Sequence, residues 1–234
     1  MIEYLNKKPN ARESFKLMKD WDNVANSDLN EQAKNMYQNH RVDCDLKNIA
    51  KEKSKLKLLA FLRYDYKKVL IRTRYLYIDQ IFDIKEKKLK GDDLNFAFFE
   101  PILICFPNLE FLGRIKFPHL YNPPQRDTLG ILKEMLNQIG SGYKEYSKDL
   151  VKWHRHSLSH ELRPSGNWIY DLNTEDKYGP PKKINGSLLY LNIPHFIDTC
   201  ILEIEKICDG LTEFQNEVII NNFIEYISKA EKDR

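Results

Sequence analysis

Between residues 44 and 90, apolar positions recur at near-helical spacing in a stretch that contains no Gly or Pro. Lys and Leu dominate this stretch, and the pattern predicts a long helix or a pair of helices. Gly91 follows the last periodic residue and predicts the end of the helical stretch. Residues 11–40 are polar and only weakly periodic, which predicts one or two short helices.

The second half of the chain alternates apolar stretches of helical length with breaks rich in Pro and Gly. Pro107 predicts two short helices with a turn at Pro107-Asn108 between them. Pro164 predicts a helix end near Arg163, and Pro194 fits the first turn of another helix. The helices predicted after residue 90 are 92–115 with its interruption, 126–139, 143–162, 194–210 and 211–228.

Between residues 164 and 186 the chain is rich in Pro, Gly, Asn and Asp, which predicts a loop. Trp168-Ile169-Tyr170 and Leu188-Leu189-Tyr190-Leu191 flank this region and could pair as a small hairpin. We therefore expect an all-α protein, a helical bundle with a short loop or a small β-hairpin inserted after the helix that ends near Arg163. Residues 1–45 are predicted as an N-terminal helical extension and residues 46–234 as the bundle.

Composition narrows the class of protein. The chain has 234 residues, of which 42% are hydrophobic and 30% are charged, with a formal net charge of +3. These values favour a globular domain and argue against global disorder. The most apolar stretch, residues 96–112, is interrupted by Pro101 and Pro107, so no membrane span is expected. The N-terminus has no apolar signal region, and we expect the protein in the cytoplasm.

The four cysteines show neither zinc-site nor Cys-x-x-Cys spacing, and three of them lie in apolar surroundings. We expect buried free thiols rather than a disulfide framework, and no cofactor is predicted. The cysteines are Cys44, Cys105, Cys200 and Cys208.

Side chains that can bind phosphate or transfer a proton are concentrated near the end of a predicted helix, in the segment Arg155-His156-Ser157-Leu158-Ser159-His160. Arg155 and His160 would lie about 140° apart around that helix, whereas His156 and His160 are four residues apart and share a face. A long Arg side chain can still reach a His in a shared cleft.

Arg-x4-His spacing alone carries little information, because Arg114 and His119 reproduce it in the same chain. That second pair has Pro118 inside it, which an uninterrupted helix does not allow. Arg155 is distinguished by its context, namely the unbroken predicted helix, the polar residue beside it and the helix stop at Pro164.

This segment fits, position by position, the Arg-polar-x3-His motif of the HEPN superfamily (higher eukaryotes and prokaryotes nucleotide-binding), and the chain resembles that family of helical bundles. Downstream, Leu191-Asn192-Ile193-Pro194-His195-Phe196 followed by an amphipathic helix is similar to members with a loop after the motif helix. The resemblance covers roughly residues 55–230.

The resemblance implies metal-independent RNA cleavage at the interface of a homodimer. By this resemblance, His160 would act as the general acid and base, because imidazole titrates near neutral pH. Arg155 would bind the phosphate through its planar, positively charged guanidinium group. His156 would orient them or contact phosphate, with Ser159 and Glu161 in support. Two-fold symmetry would join two motifs in one composite cleft, and a regulatory protein partner is a further expectation.

One position departs from the family pattern. Members that act as toxins beside nucleotidyltransferase antitoxins carry a Tyr two positions after the motif His, where this chain has Leu162. Other members have lost catalysis and serve as scaffolds, so a non-catalytic helical protein that binds RNA or a protein is the alternative hypothesis. A solvated basic helix end, or a metal site made by His154, His156 and His160, would also explain the segment.

Basic residues are concentrated between residues 47 and 90, where fourteen Lys and Arg stand against five Asp and Glu. Such an excess is typical of a phosphate-binding face, although a solvated helix face has the same composition. The residues that we predict to contact nucleic acid are Lys152, Arg163, Arg63, Lys67 and Arg74.

Overall fold

The computed structural model describes seven segments of the chain. These are residues 46–75, 100–121, 128–152, 168–171, 179–186, 188–212 and 217–231. The predicted N-terminal extension, residues 1–45, lies outside them. The predicted all-α architecture with a small β insertion is confirmed for the described residues.

Nine α-helices and three short strands make up the described fold, together with a π-helical segment Phe61–Tyr66 and a 3-10 turn Pro118–Leu120. The helices are α1 (Leu46–Lys51), α2 (Lys55–Ala60), α3 (Lys67–Arg74), α4 (Glu100–Lys116), α5 (Thr128–Ile139), α6 (Ser141–Glu145), α7 (Ser147–Leu150), α8 (Ile193–Thr212) and α9 (Val218–Glu231). The strands are β1 (Trp168–Asp171), β2 (Lys182–Ile184) and β3 (Leu188–Asn192). Among the described residues, no helix combines the length and the apolar character needed to cross a membrane.

α2, the π-helical segment and α3 follow one another without a break from residue 55 to residue 74. Ser54 begins this stretch, because its hydroxyl accepts a hydrogen bond from the backbone N–H of Lys57 (3.2 Å), which is one of the unpaired donors of the first turn. With α1, this stretch confirms the helix pair predicted for the part of residues 44–90 that the structure describes.

α8 is the central helix of the bundle and packs against α2, α3, α4, α5 and α9. Its buried residues lie on nearly every side of the helix, as expected for a helix that neighbours enclose. Pro194 occupies its first turn as predicted, but the helix continues past the predicted stop at Gly210 to Thr212. The final helix, α9, therefore begins at Val218 instead of Leu211.

α4 is continuous through Pro107, so the predicted turn at Pro107-Asn108 is wrong. A proline inside a helix removes one hydrogen bond and costs about 3 kcal/mol. Residues on both sides of it, including Ile102, Phe106 and Leu109, are completely or almost completely buried against neighbouring helices. That burial outweighs the local cost of the proline.

The three strands form one sheet in the order β1-β3-β2. β1 and β3 pair as predicted, with Trp168 opposite Leu189, but they run parallel and do not form a hairpin with each other. The hairpin is instead made by β2 and β3, around a turn in which Asn185 (φ 50°) and Gly186 (φ 74°) are both left-handed. Asn-Gly is the dipeptide that this type of tight turn favours.

The β2 segment lies against the start of α6. A methyl group added to Gly142 would come within 2.7 Å of Pro180 Cβ and 2.8 Å of the Pro181 carbonyl oxygen. Only a residue without a side chain allows this close approach. Gly140, with φ of 154°, separates α5 from α6.

Candidate functional site

The six motif-region residues of the predicted site fall within residues 153–167, outside the residues that the structure describes. They are Arg155, His156, Ser159, His160, Glu161 and Arg163. Lys152, just after α7, is the nearest described member of the predicted site, and it is exposed. The roles assigned to the six motif-region residues therefore stay predictions. The polar groups that the structure describes lie on other elements of the bundle.

Arg63 and Lys67, two of the predicted nucleic-acid contacts, lie inside the bundle with side chains only 5% exposed. Both bind the carboxylate of Glu205 on α8, Arg63 through Nη2 at 2.9 Å from Oε2 and Lys67 through Nζ to Oε1. Asp209 lies one helical turn further along α8, 3.6 Å from Arg63. We refer to Arg63, Lys67 and Glu205 as the buried ion cluster.

Electrostatics in the buried ion cluster favour the charged carboxylate. Burial by itself raises the pKa of Glu205, but the positive charges of Lys67 and Arg63 outweigh it and hold that pKa below its ordinary value. Burial lowers the pKa of Lys67. The three side chains therefore join the π-helical segment and α3 to α8, with one carboxylate bridging two cations inside the bundle.

Arg74, the third predicted contact on this stretch, is also paired with an acid of α8. Its Nε lies 2.9 Å from Oδ1 of Asp198, and both side chains are largely buried. The excess of Lys and Arg in residues 47–90 is thus partly structural, because Arg63, Lys67 and Arg74 pair with carboxylates of the central helix.

A second polar group surrounds the start of α8, and sequence reasoning did not assign it a role. The hydroxyl of Tyr143 on α6 lies 2.7 Å from Nδ1 of His195, and the hydroxyl of Thr199 lies 3.5 Å from the same nitrogen. Asp198 follows on the next turn and acts on His195 through its charge. We call Tyr143, His195, Asp198 and Thr199 the His195 cluster.

Asn192 fixes the backbone that carries His195. Its side-chain Oδ1 accepts a hydrogen bond from the His195 backbone N–H (2.8 Å), and its Nδ2 donates to the hydroxyl of Tyr190 (3.3 Å). Asn192 is completely buried at the junction of β3 and α8, where such a cap satisfies a first-turn donor. Strand and helix therefore hold the imidazole in a defined position.

The surroundings of His195 favour the neutral imidazole. Burial lowers its pKa, and the charge of Asp198 offsets only part of that effect. A neutral imidazole has one nitrogen that donates and one that accepts, so it can relay a proton or orient a neighbouring group. Within the His195 cluster, only the short spacing of His195, Asp198 and Thr199 could have been noticed in the sequence, since Tyr143 is distant along the chain.

Stability should fall as pH drops below about 6.5, the ordinary His pKa, because the unfolded chain then binds a proton that folded His195 resists. The loss should continue down to the lowered folded pKa, at no more than about 1.4 kcal/mol per pH unit from this residue. Urea denaturation between pH 8 and 5 should show a steeper loss for the wild type than for His195→Gln. Parallel curves for the two proteins would exclude this coupling.

The described cysteines confirm the expectation of buried free thiols. Cys105, Cys200 and Cys208 are all completely buried, and burial raises the pKa of Cys208 to about 12. Thiols in this state are poor nucleophiles and poor metal ligands. Within the described segments no three His, Cys, Asp or Glu side chains are grouped as a metal site.

Comparison with known proteins gives no relative for this chain: no family model, no curated protein and no solved structure matches it.

Proposed function

We propose that the protein is a metal-independent endoribonuclease of HEPN type. The observation that carries this proposal is the segment Arg155-His156-Ser157-Leu158-Ser159-His160, which fits the Arg-polar-x3-His pattern of that superfamily. The helical bundle of the described residues agrees with the architecture that the motif requires. A cytoplasmic role in a stress or phage-defence response, under the control of a regulatory protein partner, completes the proposal.

The chemistry needs only the RNA and the side chains. The 2′-hydroxyl attacks the adjacent phosphorus, its proton leaves to a base, and the bond to the 5′ oxygen breaks as that oxygen receives a proton. The products are a 2′,3′-cyclic phosphate and a 5′-hydroxyl. His160 supplies the acid/base group, Arg155 binds the phosphate oxygens as negative charge builds, and His156 orients them. A homodimer supplies two copies of His160, one for each proton transfer.

The alternative is a non-catalytic helical scaffold that binds RNA or a protein. One observation favours it: Arg63, Lys67 and Arg74 each pair with a carboxylate of α8. Side chains held in this way stabilise a bundle but present less charge to phosphate than exposed ones.

The test is cleavage of a fluorescent single-stranded RNA by the full chain in EDTA. We expect wild-type protein to cleave and Arg155→Ala to be strongly impaired. Equal cleavage by both proteins would assign the activity to a contaminant, and cleavage that needs added divalent metal would contradict the mechanism. Absence of any cleavage would favour the scaffold.

The dimer is tested separately by light scattering during size-exclusion chromatography. We expect twice the 27.8 kDa of one chain. A monomer that retains full cleavage activity would contradict the composite cleft while leaving the chemistry in place.

A further inference from the structure

α6 and α7, which come just before the predicted motif in the sequence, form a two-sided surface element. The chain keeps the helical hydrogen-bond pattern across their junction, since the Tyr146 N–H donates to the Gly142 carbonyl (3.3 Å) and the Leu150 N–H donates to the Tyr146 carbonyl (2.9 Å). Positions four apart therefore stay on one side. Lys144, Lys148 and Lys152 have this spacing and are exposed, whereas the opposite side is buried.

β2 adds a fourth lysine to the same surface. The Lys183 ammonium lies 5.7 Å from the centre of the Tyr146 ring. The close contact of Gly142 with Pro180 and Pro181 holds this segment against α6. Lys182, its neighbour, instead lies 5.0 Å from the Tyr190 ring, its cross-strand partner. We name Lys144, Lys148, Lys152 and Lys183 the lysine face.

The lysine face differs in its electrostatics from the buried basic residues. Within the part of the chain that the structure describes, Lys144, Lys148 and Lys183 have no carboxylate at ion-pair distance, whereas Arg63, Lys67 and Arg74 each do. The acids of α6 and α7 are Glu145 and Asp149, against five exposed lysines on or beside these helices and β2, namely Lys144, Lys148, Lys152, Lys182 and Lys183. A local excess of positive charge therefore faces solvent.

The occupant that fits this surface is a polyanion. Protein interfaces usually have an apolar centre, but the large exposed hydrophobic residues of the described segments are Val69, Leu129 and Val218, none of them on α6, α7 or β2. Lysines that guard an edge strand against aggregation would explain Lys183 but not the helical row. The flexible ammonium groups of Lys144, Lys148 and Lys183, which have no carboxylate of the described residues at ion-pair distance, suit the phosphates of a nucleic acid backbone.

We propose that the lysine face binds the phosphate backbone of single-stranded RNA. The identity of the polyanion as RNA rests on the proposed function. Binding of this kind is electrostatic and independent of base sequence, so it weakens steeply with salt.

The test compares two charge-reversed variants of the full chain, both carrying His160→Ala to limit cleavage. The first carries Lys144→Glu, Lys148→Glu and Lys183→Glu. The matched control carries Lys51→Glu, Lys53→Glu and Arg72→Glu, which change the charge equally at exposed positions on the opposite end of the described sequence. A milder set, Lys144→Gln, Lys148→Gln and Lys183→Gln, covers the case in which charge reversal impairs folding.

Fluorescence anisotropy with a short labelled RNA should show about tenfold or greater weakening for the lysine-face variant and little change for the control. The slope of log affinity against log salt should fall by about 2, which corresponds to three lost phosphate contacts at about 0.7 each. Intermediate weakening by the glutamine set would support the proposal. Equal weakening by control and lysine-face variants would overturn it, as would poly-glutamate competing as well as RNA.

Cleavage separates this proposal from the proposed function. Lysine-face-dependent RNA binding without any cleavage by wild type would support the binding face and reject the nuclease. Wild-type cleavage together with unchanged RNA affinity in the lysine-face variant would support the nuclease and reject the binding face.

Discussion

Replacing His160 with alanine is expected to slow RNA cleavage by about two to four orders of magnitude, the usual contribution of a positioned acid or base. The loss should appear in kcat, because the imidazole moves a proton in the transition state and adds little to binding of the substrate. Single-turnover cleavage with saturating protein measures this step directly. The melting temperature should stay close to that of wild type.

The chain supplies its own control for this experiment. Arg114 and His119 reproduce the Arg-x4-His spacing, but Arg114 binds Glu110 and lies 5.1 Å from the ring centre of Tyr121, in a structural role. His119→Ala should therefore leave cleavage unchanged. A comparable loss from His119→Ala and His160→Ala would mean that the assay responds to general damage and not to catalysis.

Replacing Glu205 with alanine is expected to destabilise the fold by about 3–5 kcal/mol, because it leaves Arg63 and Lys67 buried without the acid that both bind. Glu205→Gln should lose less, since an amide oxygen still accepts one hydrogen bond. Because the Glu205 pKa is lowered, its contribution is complete at neutral pH and disappears as pH falls through that lowered value. Urea denaturation at pH 7 measures the difference.

Glu231 provides the matched control for Glu205. It pairs with Lys47 at 3.2 Å, but both side chains are about half exposed, and such surface pairs contribute about 1 kcal/mol or less. Similar destabilisation by Glu231→Ala and Glu205→Ala would contradict the claim that the buried ion cluster holds α8 to its neighbours.

Helix periodicity was the most reliable guide to the fold. α5 and α8 match their predicted ranges to within two residues, because each carries an unambiguous apolar face that packs on the bundle. The turn predicted at Pro107 is wrong because the sequence shows only the helix hydrogen bond that a proline removes. The burial that compensates for this loss depends on helices distant in sequence. Asn185-Gly186 was a readable hairpin signal that would have placed β2 opposite β3.

The contacts of the candidate site residues were harder to predict from the sequence than the helices. The sequence displays Lys and Arg but not their partners, and Glu205 lies 138 residues from Lys67 along the chain. Composition therefore could not separate buried cations such as Arg63 from exposed ones such as Lys148. Nor could it place Tyr143 beside His195, because that contact depends on how α6 packs on the start of α8.

The chemical identity of the RNA ends tests the central claim most directly. After incubation with wild-type protein in EDTA, mass spectrometry of the fragments should find 2′,3′-cyclic phosphate and 5′-hydroxyl ends, which His160→Ala greatly reduces. Fragments with 3′-hydroxyl and 5′-phosphate ends, formed only when divalent metal is added, would contradict the account.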